Sequence, residues 1–330
     1  MDRREPVAHS ESNVFQILLW FLFIVALLGF GARIGTKFAM TRKLASDDWI
    51  MLAAQIAYLA ECISISIGAS QGLDNSNSTA TDDSVNTFLQ AEYASVGFLI
   101  IALALVKFSV SAFIHQLSPN RTHVRLNRIL LFLIGSWALA AFFTLLFECG
   151  LPSPWDYIDS LHCIDRAAWW AFVAIGNIAT ELLIVALYTL IIGNLKLPLA
   201  KKAVVLTIFS TRLLVIGIVV AQLLTFLRVL PRTQPSDEVI TPILLNQGVI
   251  VASIITACTP YLRPIMESLE SSIVRVENIS SDEEIGGPPN TRRTGGSRYY
   301  LSDMSHSSAA CSSRATNRVM IDPEGGDSKT

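Results

Sequence analysis

Residues 14–32 read VFQILLWFLFIVALLGFGA, a run that contains no ionisable side chain. A helix rises 1.5 Å per residue, so about 20 apolar residues are needed to cross the hydrocarbon core of a bilayer. The run follows Arg3-Arg4, but it is too long for the core of a signal peptide, and no small-residue cleavage site follows it. It therefore predicts a membrane-spanning helix that is retained.

Six further apolar stretches of this kind follow along the chain. Together with the first they predict seven spans, each bounded by polar or charged connectors: Val14–Ile34, Trp49–Ala69, Phe88–Ile114, Ile129–Phe147, Ala168–Ile192, Ala203–Leu227 and Pro242–Leu262. The expected fold is an all-α membrane protein with seven transmembrane helices. We expect a short N-terminal segment (1–13), a membrane domain (14–263) and a C-terminal tail (264–330).

The composition excludes two large classes of function, soluble enzymes and nucleic-acid-binding proteins. Hydrophobic residue types make up 52% of the 330 residues and charged types 16%, whereas soluble domains carry roughly 25% charged residues. The mean hydropathy of +0.48 agrees with a membrane protein. Because the net charge is −2 and no basic patch stands out, no nucleic-acid partner is expected.

Motifs of the common enzyme classes are missing from the sequence. There is no G-x-x-x-x-G-K phosphate loop and no G-x-S-x-G nucleophile elbow. The five histidines are scattered, so they do not predict a metal centre: His9, His115, His123, His162 and His306. We expect neither catalysis nor a bound metal.

Basic residues in the connectors predict the orientation, since Lys and Arg are enriched in cytosolic loops. The connectors after spans one, three and five carry most of them: Arg33, Lys37, Arg42, Lys43, Arg121, Arg125, Arg128, Lys196, Lys201 and Lys202. The connector after span two has no Lys or Arg. The N-terminus is therefore expected outside and the tail in the cytosol.

The fourth connector, which this orientation places outside, carries two cysteines. Cys149 and Cys163 lie on the oxidising side, where disulfides persist, so we expect them to pair and to brace the outer mouth of the bundle. Pro152, Trp155 and Asp156 lie within that loop. The indole of Trp155, like those of Trp169 and Trp170, suits either the membrane interface or contact with a ligand.

Two further expectations concern segments that face water. Asn77 begins a glycosylation sequon in the second, outer connector. The tail is polar and rich in Ser and Gly, which predicts disorder, and its Ser280-Ser281-Asp282-Glu283-Glu284 stretch resembles an acidophilic kinase target.

Several of these stretches together resemble one known family, the fungal rhodopsin-domain family of seven-helix membrane proteins. They are Ser46-Asp47-Asp48-Trp49, Lys107-Phe108-Ser109, Phe147-Glu148-Cys149-Gly150-Leu151-Pro152, Pro154-Trp155-Asp156, Cys163-Ile164-Asp165 and Leu195-Lys196-Leu197-Pro198. The group includes receptor-like proteins of plant-pathogenic fungi and integral membrane proteins of satratoxin-type toxin gene clusters. The resemblance covers roughly residues 14–264 and implies seven helices with the N-terminus outside.

Ionisable side chains within the spans are the leading candidates for function, because they are costly in hydrocarbon. Helical rise places Glu61, Glu181 and Arg212 near one layer, with Asn177 one turn from Glu181. We expect Arg212 to pair with Glu181, Glu61 or both. A ligand or proton site and a structural ion pair are both open interpretations.

Lys107 lies closer to the cytosolic end of its span. It is expected either to extend toward the headgroups or to bond to a neighbouring helix. Retinal is not expected, because light-sensing rhodopsins attach it to a lysine in the seventh helix and Pro242–Leu262 contains none. No other cofactor is indicated.

Asp47 and Asp48 open the second span. Carboxylates there can cap free amide groups and offset the helix dipole. The alternative is a role in coupling to a cytosolic partner.

These features favour a receptor-like protein that binds an unknown small molecule outside and signals through its cytosolic loops and tail to a cytosolic protein. The plasma membrane is the default location. The alternative is a transporter or accessory membrane protein of a fungal secondary-metabolite pathway. Transporters often show internal repeats and broken helices; no obvious repeat occurs here and proline is scarce within the spans, which favours the receptor.

Overall fold

A computed structural model of the protein describes residues 5–42, 45–72, 82–117, 120–150, 152–156, 163–193, 211–229 and 241–261. Regular structure in these ranges is helical, apart from one bridge between Cys149 and Cys163. The helices are α1 (Glu5–Thr41), α2 (Ser46–Gly72), α3 (Asp82–Leu117), α4 (Arg121–Leu146), α5 (Arg166–Gly193), α6 (Arg212–Val229) and α7 (Thr241–Tyr261). The predicted tail, including Ser280, lies outside the described residues.

Six helices, all except α6, are long and apolar enough to cross a membrane. They coincide with predicted spans one to five and seven, which confirms a multi-pass membrane protein. The sixth predicted span began at Ala203, but residues 203–210 lie outside the described ranges, so its crossing stays a prediction. The structure contains no bilayer, and the orientation likewise stays a prediction.

Helices α1 and α4 begin well before their predicted spans. Helix α1 includes residues 5–13, which the sequence assigned to the N-terminal segment, because polar residues alone do not end a helix. Helix α4 begins at Arg121, and Asn120 caps it by accepting a hydrogen bond from the Thr122 amide at 3.1 Å. The basic residues counted in that connector, Arg121, Arg125 and Arg128, are therefore helical.

Helix α3 lies at the centre of the described bundle. It packs on α2 and α4, while α5 packs on α4 and α6, and α1 on α2. In the most apolar window of α3, 67% of the residues are buried, against 17% in α1. The outer face of α1 leaves large apolar side chains such as Ile17, Phe21 and Leu28 exposed, as expected of a helix that faces lipid.

Helices α4 and α5 approach very closely at Gly176. A Cβ atom added to Gly176 would overlap the indole Cδ1 and Nε1 atoms of Trp137 on α4. Only glycine lets the two helices pack at this distance, a use of small residues that is common between membrane helices.

Candidate functional site

The ion pairs among the described residues fall into three groups at different levels of α3. We name them the central cluster (Lys107, Asn177, Glu181 and Arg212), the Asp47 cluster (Arg33, Lys37, Asp47, Asp48 and Tyr261) and the disulfide-end pocket (Glu92, Glu148, Trp155, Arg166, Trp169 and Trp170, with apolar neighbours).

In the central cluster one carboxylate binds two cations. Lys107 on α3 donates to Glu181 Oε1 at 2.7 Å, and Arg212 Nη1 on α6 donates to Glu181 Oε2 at 2.8 Å. The three side chains are each 1% exposed. Lys107 also donates to the backbone carbonyl of Asn177 at 3.2 Å. The predicted pair between Arg212 and Glu181 is thus present, and Lys107 joins it.

In the central cluster the positive charge exceeds the negative charge, and the hydrogen-bond donors outnumber the acceptors of its one carboxylate. With all three groups ionised its charge is +1. The Nε and Nη2 atoms of Arg212 and the Oδ1 atom of Asn177 are buried, and no hydrogen-bond partner for them is found among the described residues. The cluster ties α3, α5 and α6 together and also retains unsatisfied polar atoms.

The structure decides between the two alternatives predicted for Lys107. Its amine does not extend toward the end of its helix but bonds to the neighbouring α5, the second of the two alternatives. It also lies 5.9 Å from the ring centroid of Trp137 on α4. The reason is electrostatic, since a buried carboxylate within reach stabilises a buried ammonium more than a partial approach to the headgroups would.

Glu61 does not belong to the central cluster. It is 1% exposed, and its Oε1 atom accepts a hydrogen bond from Gln247 on α7 at 2.7 Å. Arg212 pairs only with Glu181 among the described carboxylates, so the predicted Arg212–Glu61 alternative is wrong. Depth along a helix does not fix which way a side chain points around it.

The Asp47 cluster joins α1 to the start of α2. Arg33, which is fully buried, donates to Asp47 Oδ2 at 2.5 Å and to Asp48 Oδ1 at 3.1 Å. Lys37 donates to the same two carboxylates at 2.6 and 2.7 Å. Two cations and two anions therefore balance in a buried site.

Helices α3 and α7 also bind Asp47. Gln116 on α3 donates to Asp47 Oδ1 at 3.1 Å, and Ser109 donates to the Asp47 carbonyl at 2.9 Å. Tyr261 on α7 donates its hydroxyl to Asp47 Oδ2 at 2.5 Å, and the Arg33 guanidinium carbon lies 4.1 Å from the Tyr261 ring centroid. Four helices meet at this carboxylate.

Both aspartates lie in the first turn of α2, where they were predicted to offset the helix dipole, and the predicted capping of an amide group is made by Asp48. Its Oδ2 atom accepts a hydrogen bond from the Ala45 amide at 3.0 Å, and its own amide donates to the Ala45 carbonyl at 3.0 Å. Asp47 caps nothing and serves as an ion-pair centre. Arg33 and Lys37 were counted in the sequence only as markers of orientation, although their i, i+4 spacing on one helix was a usable signal.

At the other end of α3, the predicted disulfide between Cys149 and Cys163 is present. It closes the connector between α4 and α5. Beside it the Ile164 amide donates to the Glu148 carbonyl at 2.8 Å, and Asp165 caps α5 by accepting from the Ala167 amide at 3.0 Å. These contacts join the two described ends of the loop to each other and to the first turn of α5.

Two carboxylates flank one guanidinium next to the disulfide. Arg166 on α5 lies 3.0 Å from Glu92 Oε1 on α3 and 3.0 Å from Glu148 Oε1. Burial raises the pKa of Glu148; Arg166 opposes this and the Glu92 carboxylate adds to it. Because the pKa of Glu148 is raised overall, the effect of burial on it exceeds the effect of the ion pair with Arg166. This trio could not be predicted from the sequence, because Glu92 lies on a segment distant in the chain from Glu148 and Arg166.

Aromatic side chains line a small pocket over this trio. Trp169 and Trp170 are each 5% exposed and pack edge to face, with centroids 5.1 Å apart. They pack inside the protein, so the interface alternative is wrong for them. Trp155 is half-buried, lines the same pocket, and donates to Asn86 at 2.7 Å.

The remaining candidate residues are placed as follows. Pro152 is exposed and Asp156 half-buried in the described part of the outer loop, where the Asp156 carbonyl faces Cys163 Sγ at 3.8 Å. Asn77 lies outside the described residues. The sequence of α7 has no lysine, so it does not fit a retinal Schiff base of the seventh-helix kind.

Comparison with known proteins gives one family. The model of the fungal rhodopsin domain matches residues 32–268, which includes the Asp47 cluster, the central cluster, the disulfide and Glu61. No curated protein matches the chain. The satratoxin-cluster subgroup therefore stays a prediction.

Proposed function

The chain belongs to the fungal rhodopsin domain family, and we propose that it is a receptor-like multi-pass protein that senses a small molecule outside and signals in the cytosol. In this proposal the disulfide-end pocket faces outward and the Asp47 cluster faces the cytosol, as the basic connectors indicate. The plasma membrane is the proposed location, and a cytosolic signalling protein is the proposed partner.

The observation that carries the proposal is the series of polar contacts along α3. Glu92 binds Arg166 at the disulfide end, Lys107 binds Glu181 at the centre, and Gln116 binds Asp47 at the opposite end. One largely buried helix thus contributes to all three polar groups. A shift of α3 caused by a ligand would change contacts at both ends, which is the requirement for coupling two sites.

Each end has a property suited to its proposed role. The pocket combines three tryptophans with the ion trio, a mixture of apolar wall and few polar groups that is typical of small-molecule sites. The Asp47 cluster consists of ion pairs shared among four helices, and such an arrangement can change partners when one helix moves.

The proposal is tested in a fungal strain that lacks the gene. Transcript profiles and metabolite levels in cells and medium are compared for the deletion, the restored wild type and a double variant, Ser109→Ala with Gln116→Ala, which separates α3 from Asp47. We expect the deletion to change transcription, and the double variant not to restore it. The control is Ser136→Ala, whose exposed hydroxyl bonds within its own helix, and protein amounts are matched by immunoblot.

A specific observation favours the alternative of a transporter or accessory protein of a secondary-metabolite pathway. Buried ionisable groups in membrane helices often mark substrate or ion pathways, and the central cluster and Glu61 are such groups. In the same strains, a compound that accumulates in cells and falls in the medium, with transcription unchanged, would overturn the receptor proposal and support export.

A further inference from the structure

Glu61 is the one described carboxyl within the predicted spans that is fully buried and has no cationic partner among the described residues. It lies on α2 and is 1% exposed. The amide of Gln247 donates to its Oε1 atom at 2.7 Å, whereas its Oε2 atom is buried and no partner is found for it. Its environment is that of a neutral polar group rather than of an ion.

The cations that could compensate Glu61 are bound elsewhere. Lys107 on α3 and Arg212 on α6 both hold Glu181. On α1 no ionisable residue occurs between residues 14 and 32, and Arg33 and Lys37 hold the two aspartates at one end. On α7 Gln247 faces Glu61, and Tyr261 bonds to Asp47.

The titratable neighbours of Glu61 on its own helix supply no positive charge. They are Tyr58 and Cys62, and both are fully buried. The Cys62 thiol contacts Gln247 Oε1 at 3.8 Å, so Gln247 bridges the thiol and the carboxyl. The amide side chain can orient its NH2 group toward a carboxyl oxygen in either protonation state.

Burying an ionised carboxylate without a cation is unfavourable by several kcal/mol or more, and such a group instead takes up a proton. No cavity is needed, because the ligand is a proton. We propose that Glu61 is a proton-binding site whose carboxyl exchanges one proton with water and whose two forms alter the contact between α2 and α7. The inference does not rest on the receptor assignment, since either a receptor or a transporter can use such a group.

The chemistry balances in one step. Ionised Glu61 accepts a proton from water at its Oε2 atom and becomes the neutral acid, and the reverse step returns the proton. In the acid form Oε2–H is a new donor beside the accepting Oε1. In the ionised form the α2–α7 interface gains an uncompensated charge, so this interface should loosen.

The direct test is infrared spectroscopy of the full chain in lipid nanodiscs over a range of pH. A protonated carboxylic acid has a carbonyl stretching band that ionised carboxylates lack. We expect such a band at neutral pH, its loss in Glu61→Gln, and a frequency shift in Gln247→Leu, which removes the hydrogen bond to Oε1. Glu148→Gln is the control and should retain the Glu61 band.

Two results would overturn the proposal: no such band in the wild type at neutral pH, or a neutral-pH band that persists unchanged in Glu61→Gln. If Glu61→Gln does not fold, the wild-type spectrum and Gln247→Leu decide the matter, since both retain Glu61. A band that Gln247→Leu leaves in place at the same frequency would assign the proton to another carboxyl.

Discussion

Tyr261, at the end of the last described helix, donates a hydrogen bond of 2.5 Å to Asp47 at the start of α2. The same carboxylate oxygen also binds Arg33 and Lys37. Packing of α7 against α1 and α2 at this end therefore depends on one side chain that four helices share.

We predict that Asp47→Asn destabilises the protein far more than Tyr261→Phe. The first change leaves Arg33 and Lys37 with a single buried carboxylate, and breaking a buried pair in this way loses about 3–5 kcal/mol. The second removes one hydrogen bond to a charged group, about 1.5–3 kcal/mol. Thermal unfolding in nanodiscs measures both. Equal losses would mean that Asp47 acts only through Tyr261.

Glu181→Gln should be the most damaging change in the central cluster. It leaves Lys107 and Arg212 buried with no counterion, whereas Lys107→Met removes one cation and leaves the Arg212–Glu181 pair intact. We expect little folded Glu181→Gln protein and a nearly normal amount of Lys107→Met.

The yield of monodisperse protein after size-exclusion chromatography measures how damaging Glu181→Gln and Lys107→Met are relative to the wild type. A double variant, Glu181→Gln with Lys107→Met, should recover part of the loss because it removes one of the two uncompensated cations. If Lys107→Met proves as damaging as Glu181→Gln, the ammonium has a structural role beyond balancing Glu181.

Gly176→Ala should destabilise the bundle by about 1–3 kcal/mol, because its Cβ would overlap the Trp137 indole and α4 would have to move. The matched control is Gly217→Ala on α6, where a Cβ meets no atom within 4 Å. In a Trp137→Ala background the Gly176→Ala change should cause little further loss of thermal stability. If the double variant loses as much thermal stability as the two single variants added together, the clash of the new Cβ is not with Trp137.

The pKa of Glu148, raised by burial above its ordinary value of 4.5, predicts a pH dependence of stability. Above about 4.5 the folded chain retains a proton that the unfolded chain releases. Its contribution to stability is therefore complete below that pH and is lost as pH rises through the folded-state pKa.

Thermal unfolding at a series of pH values measures this dependence. Glu148→Gln should flatten it, and Arg166→Gln should move it to higher pH, because Arg166 is the group that lowers the Glu148 pKa. A wild-type slope that Glu148→Gln leaves intact would assign it to another residue.

Several parts of the structure could be predicted from the sequence. The length of the apolar stretches predicted spans one to five and seven, the position of two cysteines in one outer connector predicted the disulfide between Cys149 and Cys163, and similar depth predicted the pair between Arg212 and Glu181. Each depends on properties local to one segment or on residues at similar depth, which helical rise gives directly.

The sequence did not predict the direction in which each side chain points around the axis of its helix. Glu61 and Glu181 lie at similar predicted depth but face different neighbours. Arg33 and Lys37 were counted with the first connector, whereas α1 continues to Thr41 and carries both of them. The partners of Glu92 and Tyr261 come from helices distant in sequence, and one sequence carries no information on which helices adjoin.

The central claim is that α3 couples the disulfide end to the Asp47 end, and the thiol of Cys258 can report on it. Cys258 is buried on α7, close in sequence to Tyr261. In a Cys62→Ser, Cys311→Ser background it is the remaining cysteine outside the Cys149–Cys163 disulfide. The measurement is its labelling rate with a membrane-permeant maleimide in nanodiscs.

Arg166→Gln breaks the α3 contact at the far end, and we predict that it changes the Cys258 labelling rate several-fold. The control Arg228→Gln, at an exposed position on α6, should leave the rate unchanged. Identical rates in the parent, Arg166→Gln and Arg228→Gln proteins, all folded, would contradict coupling through α3.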